Sequence, residues 1–341
     1  MISSKEILNI TEFLKQSGLS YEADLDLKEF SYFRSGGLVK MVIYPRSMDE
    51  LQRFVKFMHE KQYEFKVIGD TSNLMFLDDV TYGVLLSLKH FSSIQYNEEE
   101  GVIVAQAGAS LPLLSRQALL WGITGYENFE GIPGTVGGGI FMNAGAYGPE
   151  IKDCLIKVYG VRANGEKFEL TNDEMNFAYR ETLISKHAGE YFITHADFKA
   201  TKGDTQRIFE RMELLHAKRH KYQDFLYPTL GTLFAGTEIY SAIGRDDKKY
   251  TLMLRVLERL IFSKKLRRER PMNKRRLNDF VCKYFGWTFD VKPFSDKTMN
   301  CITNRGQHTD KILEYIELLK KHLPETARLE NEIIYDFRYK D

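Results

Sequence analysis

The sequence predicts an α+β protein built from more than one lobe. Three observations indicate this: a length of 341 residues, strand patterns interleaved with amphipathic helices, and one long block dense in glycine. A single hydrophobic core stops growing at roughly 250–300 residues, so a chain of this length divides into two or three lobes. We therefore expect a large ligand to be held between lobes.

Composition favours a cytoplasmic protein without a membrane span. Apolar residues make up 43% of the chain and charged residues 28%, as in ordinary globular proteins. No segment reaches the roughly eighteen apolar residues that a transmembrane helix needs. The N-terminus lacks the basic and apolar regions of a secretory signal. A net charge of +1 argues against nucleic acid as a partner.

Cysteine and histidine spacing indicates neither a disulfide framework nor a metal site. The three cysteines are isolated and odd in number, which predicts thiols in a reducing compartment: Cys154, Cys282 and Cys301. His216 and His220 are the one i,i+4 histidine pair, and the lysines and arginine around them would repel a cation.

The first half of the chain alternates helix and strand patterns. Apolar spacing predicts a helix at 4–16, and a strand follows that is closed by Pro45. Ser47 and Glu50 have the spacing of a capping box that opens an amphipathic helix. Further strands rich in Val, Ile and Leu come next, followed by a helix with Ser110 as N-cap and Gly122 after its end.

The second half begins with the glycine-dense block 131–150, which contains seven glycines. Such a run is typical of backbone that takes a positive φ or approaches a ligand closely. Three strands and a helix at about 204–220 follow. The last block predicts a helix with Asp310 near its first turn, and a final strand at 329–337.

Two turns of small residues follow strands, GDTSN at 69–73 and GIPGTVGGG at 131–139. Backbone N–H groups in such turns form concave nests that can hold a diphosphate. Neither turn has the spacing of a Rossmann fingerprint or a P-loop. From the residues alone, an anionic cofactor site and an ordinary glycine-rich core turn both stay open.

Seven motifs in order resemble the UDP-N-acetylenolpyruvoylglucosamine reductase family. The longest, GIPGTVGGGIFMNAGAYG, is highly specific, and the short stretch between Arg180 and Thr194 resembles the family's type II branch. The match covers most of the chain and rests on these motifs: RSGG (34–37), GDTSNLMFLDDVTYGVLLSL (69–88), EGIPGTVGGGIFMNAGAYGPEIKD (130–153), FAYRETL (177–183), YPTLGTLF (227–234), FSDKTMNCITNRG (294–306) and LENEIIY (329–335).

The resemblance implies the division of the chain. Residues 1–20 would form an N-terminal helix, and residues 21–220 an FAD-binding domain of the vanillyl-alcohol-oxidase type, with lobes at about 21–90 and 91–220. A smaller α+β substrate-binding domain would occupy 221–341, with a basic insertion at about 238–280 that includes SKKLRRERPMNKRR. The insertion is either a solvated helix face or a docking site for an anion.

The resemblance also implies noncovalent FAD, NADPH as hydride donor and a nucleotide-sugar substrate. The residues expected to bind FAD lie in and around the two turns: Ile68, Gly69, Asp70, Thr71, Ser72, Asn73, Leu74, Gly131, Ile132, Pro133, Gly134, Thr135, Gly137, Gly138, Asn143 and Ala144.

Three side chains match the family's catalytic positions. Arg180 in the FAYR motif would hold the substrate carboxylate bidentately. Thr232 would deliver a proton, and Glu332 would act as a partner acid if burial raised its pKa. Glu330 is the neighbour most easily confused with Glu332, because strand alternation would put both on one face.

The sequence departs from the family at the proton donor and at the first turn. Thr232 stands where relatives have serine, and Ala235, Gly236 and Thr237 replace their Lys-Asn-Pro. Asp70 adds a carboxylate that would repel a diphosphate. These departures leave two alternatives beside the family reaction: an FAD-dependent oxidoreductase acting on another nucleotide sugar or polysaccharide intermediate, and a catalytically silent binding protein.

Overall fold

A computed structural model describes residues 1–262 and 274–340. The N-terminal helix Ser4–Ser17 begins at a capping box between Ser3 and Glu6. It is followed by a four-stranded mixed sheet, of which only the first pair is antiparallel. In spatial order the strands are Ser20–Asp26, Leu38–Tyr44, Tyr82–Ser87 and Lys66–Ile68, and the crossover helix is Met48–Glu60.

A second, five-stranded sheet is antiparallel throughout. Its strands are, in spatial order, Lys167–Thr171, Leu155–Arg162, Tyr191–Lys199, Val102–Gln106 and Ile94–Asn97. Shorter elements surround it: helices Leu111–Leu120, Val136–Phe141, Ile151–Cys154 and Leu183–Lys186, the 3-10 helix Glu127–Phe129, and the strand pair Ile123–Thr124 and Thr201–Lys202.

The two sheets share one hydrophobic core. Met41 and Leu86 of the first sheet belong to the same buried cluster as Ile103 and Phe198 of the second. The opposite face of the first sheet packs on a smaller cluster that contains Val42. The two central strands, Leu38–Tyr44 and Tyr82–Ser87, are therefore largely buried on both faces, which explains why they are apolar with little alternation.

The third part of the chain has its own core. A three-stranded sheet, Thr229–Thr232, Thr298–Thr303 and Phe294–Ser295, packs against helices Ile239–Ile243, Lys248–Phe262, Arg275–Phe285 and Thr309–His322. Phe33 and Met75 reach into this core from the first part of the chain. Helix Thr205–Tyr222 leads into it from the second sheet.

The C-terminal segment returns to the first part of the chain. Strand Glu332–Ile334 pairs in parallel with Leu74–Phe76, and Tyr339–Lys340 pairs in parallel with Ile2–Ser3. Helix Leu27–Phe30 lies close by. The predicted α+β fold class is confirmed, while the domain boundaries at 90 and 220 stay a prediction.

Several local predictions can be compared with the structure. Ser47 does cap its helix by accepting a hydrogen bond from the Glu50 amide at 3.2 Å. The predicted reciprocal bond is wrong, because the Glu50 carboxylate accepts from the Arg46 amide instead. Ser110 caps its helix as predicted.

Most of the basic run 263–276 lies outside the described residues, so the structure does not test the prediction made for it. Among the described residues, the helices are too short or too polar to span a membrane.

The thiols are mostly buried. Cys154 and Cys301 are buried and Cys282 is half-buried, and none is in a disulfide. Burial raises the pKa of Cys154 to about 12, so this thiol is unreactive.

Candidate functional site

A single large cavity runs between the first two sheets and the third part of the chain. Its volume is about 1600 Å³, well above the roughly 300–1,000 Å³ of a pocket for a drug-sized ligand. Its lining comes from distant segments, chiefly 63–74, 130–147, 179–193, 229–240 and 328–337. The cavity is large enough for two extended ligands side by side.

The two small-residue turns meet in this cavity. The Ser72 hydroxyl donates a hydrogen bond to the Pro133 carbonyl at 2.8 Å. A Cβ on Gly69 would lie 2.6 Å from the Thr135 Oγ1 atom, so this contact leaves no room for a side chain. Gly134 has a φ of +133°, which only glycine adopts without strain. Tertiary contact, which the sequence did not reveal, thus accounts for the small residues in both turns.

The first turn presents backbone donors to a ligand. Within the part of the chain that the structure describes, no acceptor contacts the amides of Asp70, Thr71, Ser72 and Asn73. Thr71 has a φ of +57°, and its buried hydroxyl accepts a hydrogen bond from the Tyr32 amide at 2.8 Å. A left-handed residue among successive unpaired amides makes an anion-binding nest. This turn therefore fits one end of a diphosphate.

Asp70 has no hydrogen-bond donor among the described residues. The surrounding protein raises the pKa of this carboxyl by desolvation. Asp70 also contributes to the raised pKa of Tyr32. Because a raised pKa makes the neutral form easier to reach, the repulsion that Asp70 exerts on a diphosphate depends on pH.

Fifteen of the sixteen predicted FAD-binding residues line the cavity, and Asn143 does not. Asn143 is completely buried behind the wall. Its side-chain amide donates to the Glu150 carboxylate and to the Ala178 carbonyl, and its Oδ1 accepts from the Lys152 amide. The structure thus gives this side chain partners within the protein and no position on the cavity surface, and its cofactor contact stays a prediction.

Arg219 supports the second turn from behind. Its guanidinium is buried and donates hydrogen bonds to the carbonyls of Gly131 and Asn128. A Cβ on Gly131 would lie 2.3 Å from the Arg219 Cδ atom. Burial lowers the pKa of Arg219. No signal in the sequence indicates this role, because Arg219 is one of several basic residues in the last turns of its helix and spacing does not distinguish it from them.

Arg180 lies at the tip of a tight turn with a φ of +55°. Reciprocal hydrogen bonds between the backbones of Ala178 and Glu181 close the turn. Its guanidinium donates from Nη1 to the Asn143 carbonyl at 3.2 Å and from Nη2 to the Gly145 carbonyl at 3.0 Å. A left-handed conformation costs about 1–2 kcal/mol for a residue with a side chain. The structure thus holds Arg180 in a strained backbone conformation at the cavity wall, as functional residues often are.

The two acids of the LENE motif point to different partners. Glu330 forms an ion pair with Arg180 in which Nε and Oε2 are 3.0 Å apart, and its side chain is 13% exposed. Glu332 instead forms an ion pair with Lys66, with Nζ and Oε1 at 2.5 Å, and is 46% exposed. The expectation that both acids share a face is wrong, because the strand begins only at Glu332. The burial expected for Glu332 is absent as well.

Thr232 ends the strand Thr229–Thr232 and lines the cavity. Gly231 beside it has a φ of +75°. Within residues 1–262 and 274–340, the Thr232 hydroxyl makes no hydrogen bond to another protein group. The flanking backbone is fixed, because the Leu233 amide donates to the Asn300 carbonyl at 2.8 Å. The hydroxyl is therefore held at the cavity surface and is free to meet a ligand.

Comparison with known proteins identifies the family. A family model described as FAD binding domain matches residues 39–171. The UDP-N-acetylenolpyruvoylglucosamine reductase of Exiguobacterium sibiricum is 35% identical over 66% of this chain and 74% of its own length. The enzyme of the same name from Lactobacillus acidophilus is 32% identical over 67% of this chain and 74% of its own length. The chain belongs to the UDP-N-acetylenolpyruvoylglucosamine reductase family.

A solved structure supports the same fold. The UDP-N-acetylenolpyruvylglucosamine reductase of Thermus caldophilus superposes with a TM-score of 0.65 over 92% of this chain and 98% of that one, at 22% sequence identity. The predicted FAD-dependent oxidoreductase is confirmed at the level of the family, and FAD is its cofactor. The nest at 70–73, the opposed turn and the size of the cavity fit this cofactor.

The departures from the family lie on the same cavity. Ala235, Gly236 and Thr237, where the resemblance implied Lys-Asn-Pro, line the cavity and provide no cation. Lys274 and Arg328 line the cavity too and are among its described cations.

Proposed function

We propose that this protein catalyses the NADPH-dependent reduction of UDP-N-acetylglucosamine enolpyruvate to UDP-N-acetylmuramate in the cytoplasm. The observation that carries the proposal is that Arg180, Thr232 and Glu332 line the same cavity as the two FAD-binding turns. Three segments far apart in sequence supply these side chains. Their convergence is what a reaction between a flavin and an enolpyruvyl group requires.

Arg180 is suited to bind the enolpyruvyl carboxylate. A guanidinium has five N–H groups, and three of them contact Glu330, Asn143 and Gly145. Two N–H groups remain, one on each terminal nitrogen, and no other described acceptor contacts them. When hydride adds to the terminal alkene carbon, negative charge develops on the carboxylate, and a fixed cation stabilises this charge.

Thr232 is suited to complete the reduction. The carbon next to the site of hydride addition must receive a proton, and Thr232 lines the cavity with a hydroxyl that has no hydrogen-bond partner among the described residues. We assign Glu332 as a second acid at the cavity edge, where Lys66 holds its carboxylate. When bound, FAD supplies the hydride chemistry that links NADPH to the substrate.

A second candidate is the same redox chemistry on another nucleotide sugar. It is favoured by the loss of the lysine and asparagine at positions 235–237, which changes the anion-binding wall of the cavity. The catalytic side chains would keep their roles. Only the part of the cavity that recognises the nucleotide or sugar would differ.

Anaerobic half-reactions test the proposal. The FAD-loaded protein should lose its oxidised flavin absorbance on mixing with NADPH and regain it on addition of UDP-N-acetylglucosamine enolpyruvate, with UDP-N-acetylmuramate formed in equal amount. Reduction by NADPH without reoxidation would favour the second candidate. Protein that stays colourless after refolding with FAD would contradict both and favour a silent binding protein.

A further inference from the structure

Arg180 forms an ion pair with Glu330, a carboxylate to which the family resemblance assigns no role. Glu330 accepts from the Arg180 Nε atom through Oε2 at 3.0 Å and from the Tyr179 hydroxyl through Oε1 at 2.5 Å. Both oxygens of one carboxylate are thus used by two neighbouring residues of the FAYR turn. Because Arg180 and Tyr179 share a tight turn, this carboxylate fixes the turn as well as the guanidinium.

The hydrogen bond to Glu330 also favours the protonated form of the Tyr179 phenol. Desolvation and the hydrogen bond to Glu330 raise the pKa of Tyr179 to about 12. The phenol therefore stays protonated at neutral pH and remains a donor to the carboxylate. Its ring also lies near the Arg180 guanidinium, 5.3 Å from its central carbon.

Glu330 is itself anchored to the other two parts of the site. Its amide donates to the carbonyl of Leu233, next to Thr232, at 2.7 Å. Its carbonyl accepts from the Asn73 side chain at 2.9 Å, in the first FAD-binding turn. One residue thus connects the carboxylate-binding arginine, the proton-donor loop and the cofactor turn.

The orientation of the Arg180 guanidinium determines where its two remaining N–H groups point. A guanidinium that pivots about its side-chain bonds presents them in many directions, whereas one held at Nε, Nη1 and Nη2 presents them in one. The two backbone carbonyls alone would hold only the terminal nitrogens. Glu330 holds the third nitrogen, and with it the plane of the group.

We propose that Glu330, held by Tyr179, is a positioning residue that fixes the plane of Arg180 for binding the substrate carboxylate. The inference rests on the proposed function. Glu332 has no such role, because its carboxylate pairs with Lys66 and makes no contact with Arg180 among the described residues.

Steady-state and half-reaction kinetics of four variants test this inference: Glu330→Gln, Glu330→Ala, Tyr179→Phe and, as matched control, Glu314→Gln, whose exposed carboxylate pairs with Lys311 and does not line the cavity. A misplacement of about 1 Å costs on the order of a hundredfold in rate, so Glu330→Ala should lower kcat/KM by about that factor, with most of the loss in kcat. Glu330→Gln, which keeps an acceptor and the side-chain shape, should lose about tenfold, and Tyr179→Phe only a few fold. Reduction of FAD by NADPH should be unchanged in all four.

Two readouts separate positioning from a merely structural ion pair. Formate or acetate should restore part of the turnover of Glu330→Ala by occupying the vacated place beside Arg180, and should not affect Glu314→Gln. The double variant Tyr179→Phe, Glu330→Ala should be no slower than Glu330→Ala alone, because Tyr179 acts through Glu330.

The outcomes are distinct. If both Glu330 variants have the same kcat/KM as the wild type, the positioning role is overturned and the proposed function stays intact. A loss of thermal stability and FAD content without carboxylate rescue also overturns it, in favour of a structural ion pair. If the wild-type flavin is not reoxidised by the enolpyruvyl substrate, the proposed function fails and the inference with it. Tyr179→Phe, at an exposed side chain, keeps the test available if Glu330→Ala does not fold.

Discussion

Replacing Asp70 by asparagine should tighten FAD binding. Asp70 lies within the nest formed by the amides of residues 70–73, and its carboxylate has no hydrogen-bond donor in the described part of the chain. An anion held by these amides would lie roughly 5–6 Å from that carboxylate, given the reach of an aspartate side chain. The carboxylate and the bound diphosphate would therefore repel each other.

The size of the effect follows from Coulomb's law. At about 5–6 Å, unit charges interact with roughly 3 kcal/mol at an effective dielectric constant of about 20, and with about half of that at about 40. Asp70 is exposed to solvent in the cavity, so the lower part of this range applies. We expect Asp70→Asn to strengthen FAD binding by about 1–2 kcal/mol, which is about 5–30-fold in Kd.

The pH dependence gives a second signature. Desolvation raises the pKa of Asp70 in the folded protein, and a bound diphosphate would raise it further. Wild-type FAD binding should therefore be tightest below the pKa of Asp70 in the apoprotein, weaken as pH rises from that pKa to the higher pKa in the FAD complex, and then level off. Because the folded protein disfavours the charged form of Asp70, Asp70→Asn should raise the free energy of unfolding of the apoprotein at neutral pH, where Asp70 is charged. It should have no such effect in acid, where Asp70 is neutral.

Titration of apoprotein with FAD, followed by flavin fluorescence at several pH values, measures both effects. Asp246→Asn is the matched control, because this side chain is 92% exposed and does not line the cavity. Equal Kd values for wild type and Asp70→Asn at neutral pH, with parallel pH profiles, would refute the placement of the diphosphate at this turn.

Three further substitutions have expected outcomes. Thr232→Val should slow reoxidation of reduced flavin by the enolpyruvyl substrate by about 10²–10⁴-fold while leaving reduction by NADPH unchanged, and Thr232→Ser should retain turnover; rapid mixing of each half-reaction measures this, and equal reoxidation in wild type and Thr232→Val contradicts the proton-donor role. Arg219→Leu should lower the free energy of unfolding by about 2–4 kcal/mol and reduce FAD content, because the buried carbonyls of Gly131 and Asn128 lose their donor; denaturant unfolding compared with Arg211→Leu, at an exposed position of the same helix, checks this. Gly160→Ala should cost about 2–4 kcal/mol in the same assay, because its Cβ would lie 2.1 Å from the Phe192 carbonyl oxygen, whereas Gly101→Ala, at a positive φ in open space, should cost about 1 kcal/mol; similar losses for the two glycine variants would contradict the steric explanation.

The sequence by itself determined the family and the fold class, and it singled out the two turns that line the cavity, whose contacts with FAD stay a prediction. Two small-residue turns and one long glycine-dense motif are local in sequence, and the backbone conformations they require are local too. Fifteen of sixteen predicted FAD-binding residues consequently line the cavity. Asn143 is the exception, because a sequence motif does not show which of its residues line a cavity and which lie behind the cavity wall.

Only the tertiary structure decided how the acids and arginines pair. Glu330 and Glu332 are two residues apart, and which of them meets Arg180 depends on where the chain enters its strand beside Leu74–Phe76. Arg219 acquires its role because a helix nearly ninety residues downstream of Gly131 packs against the second turn. Ion pairs and buried hydrogen bonds form between segments that are distant along the chain, so their partners are set by packing and cannot be read from residue spacing.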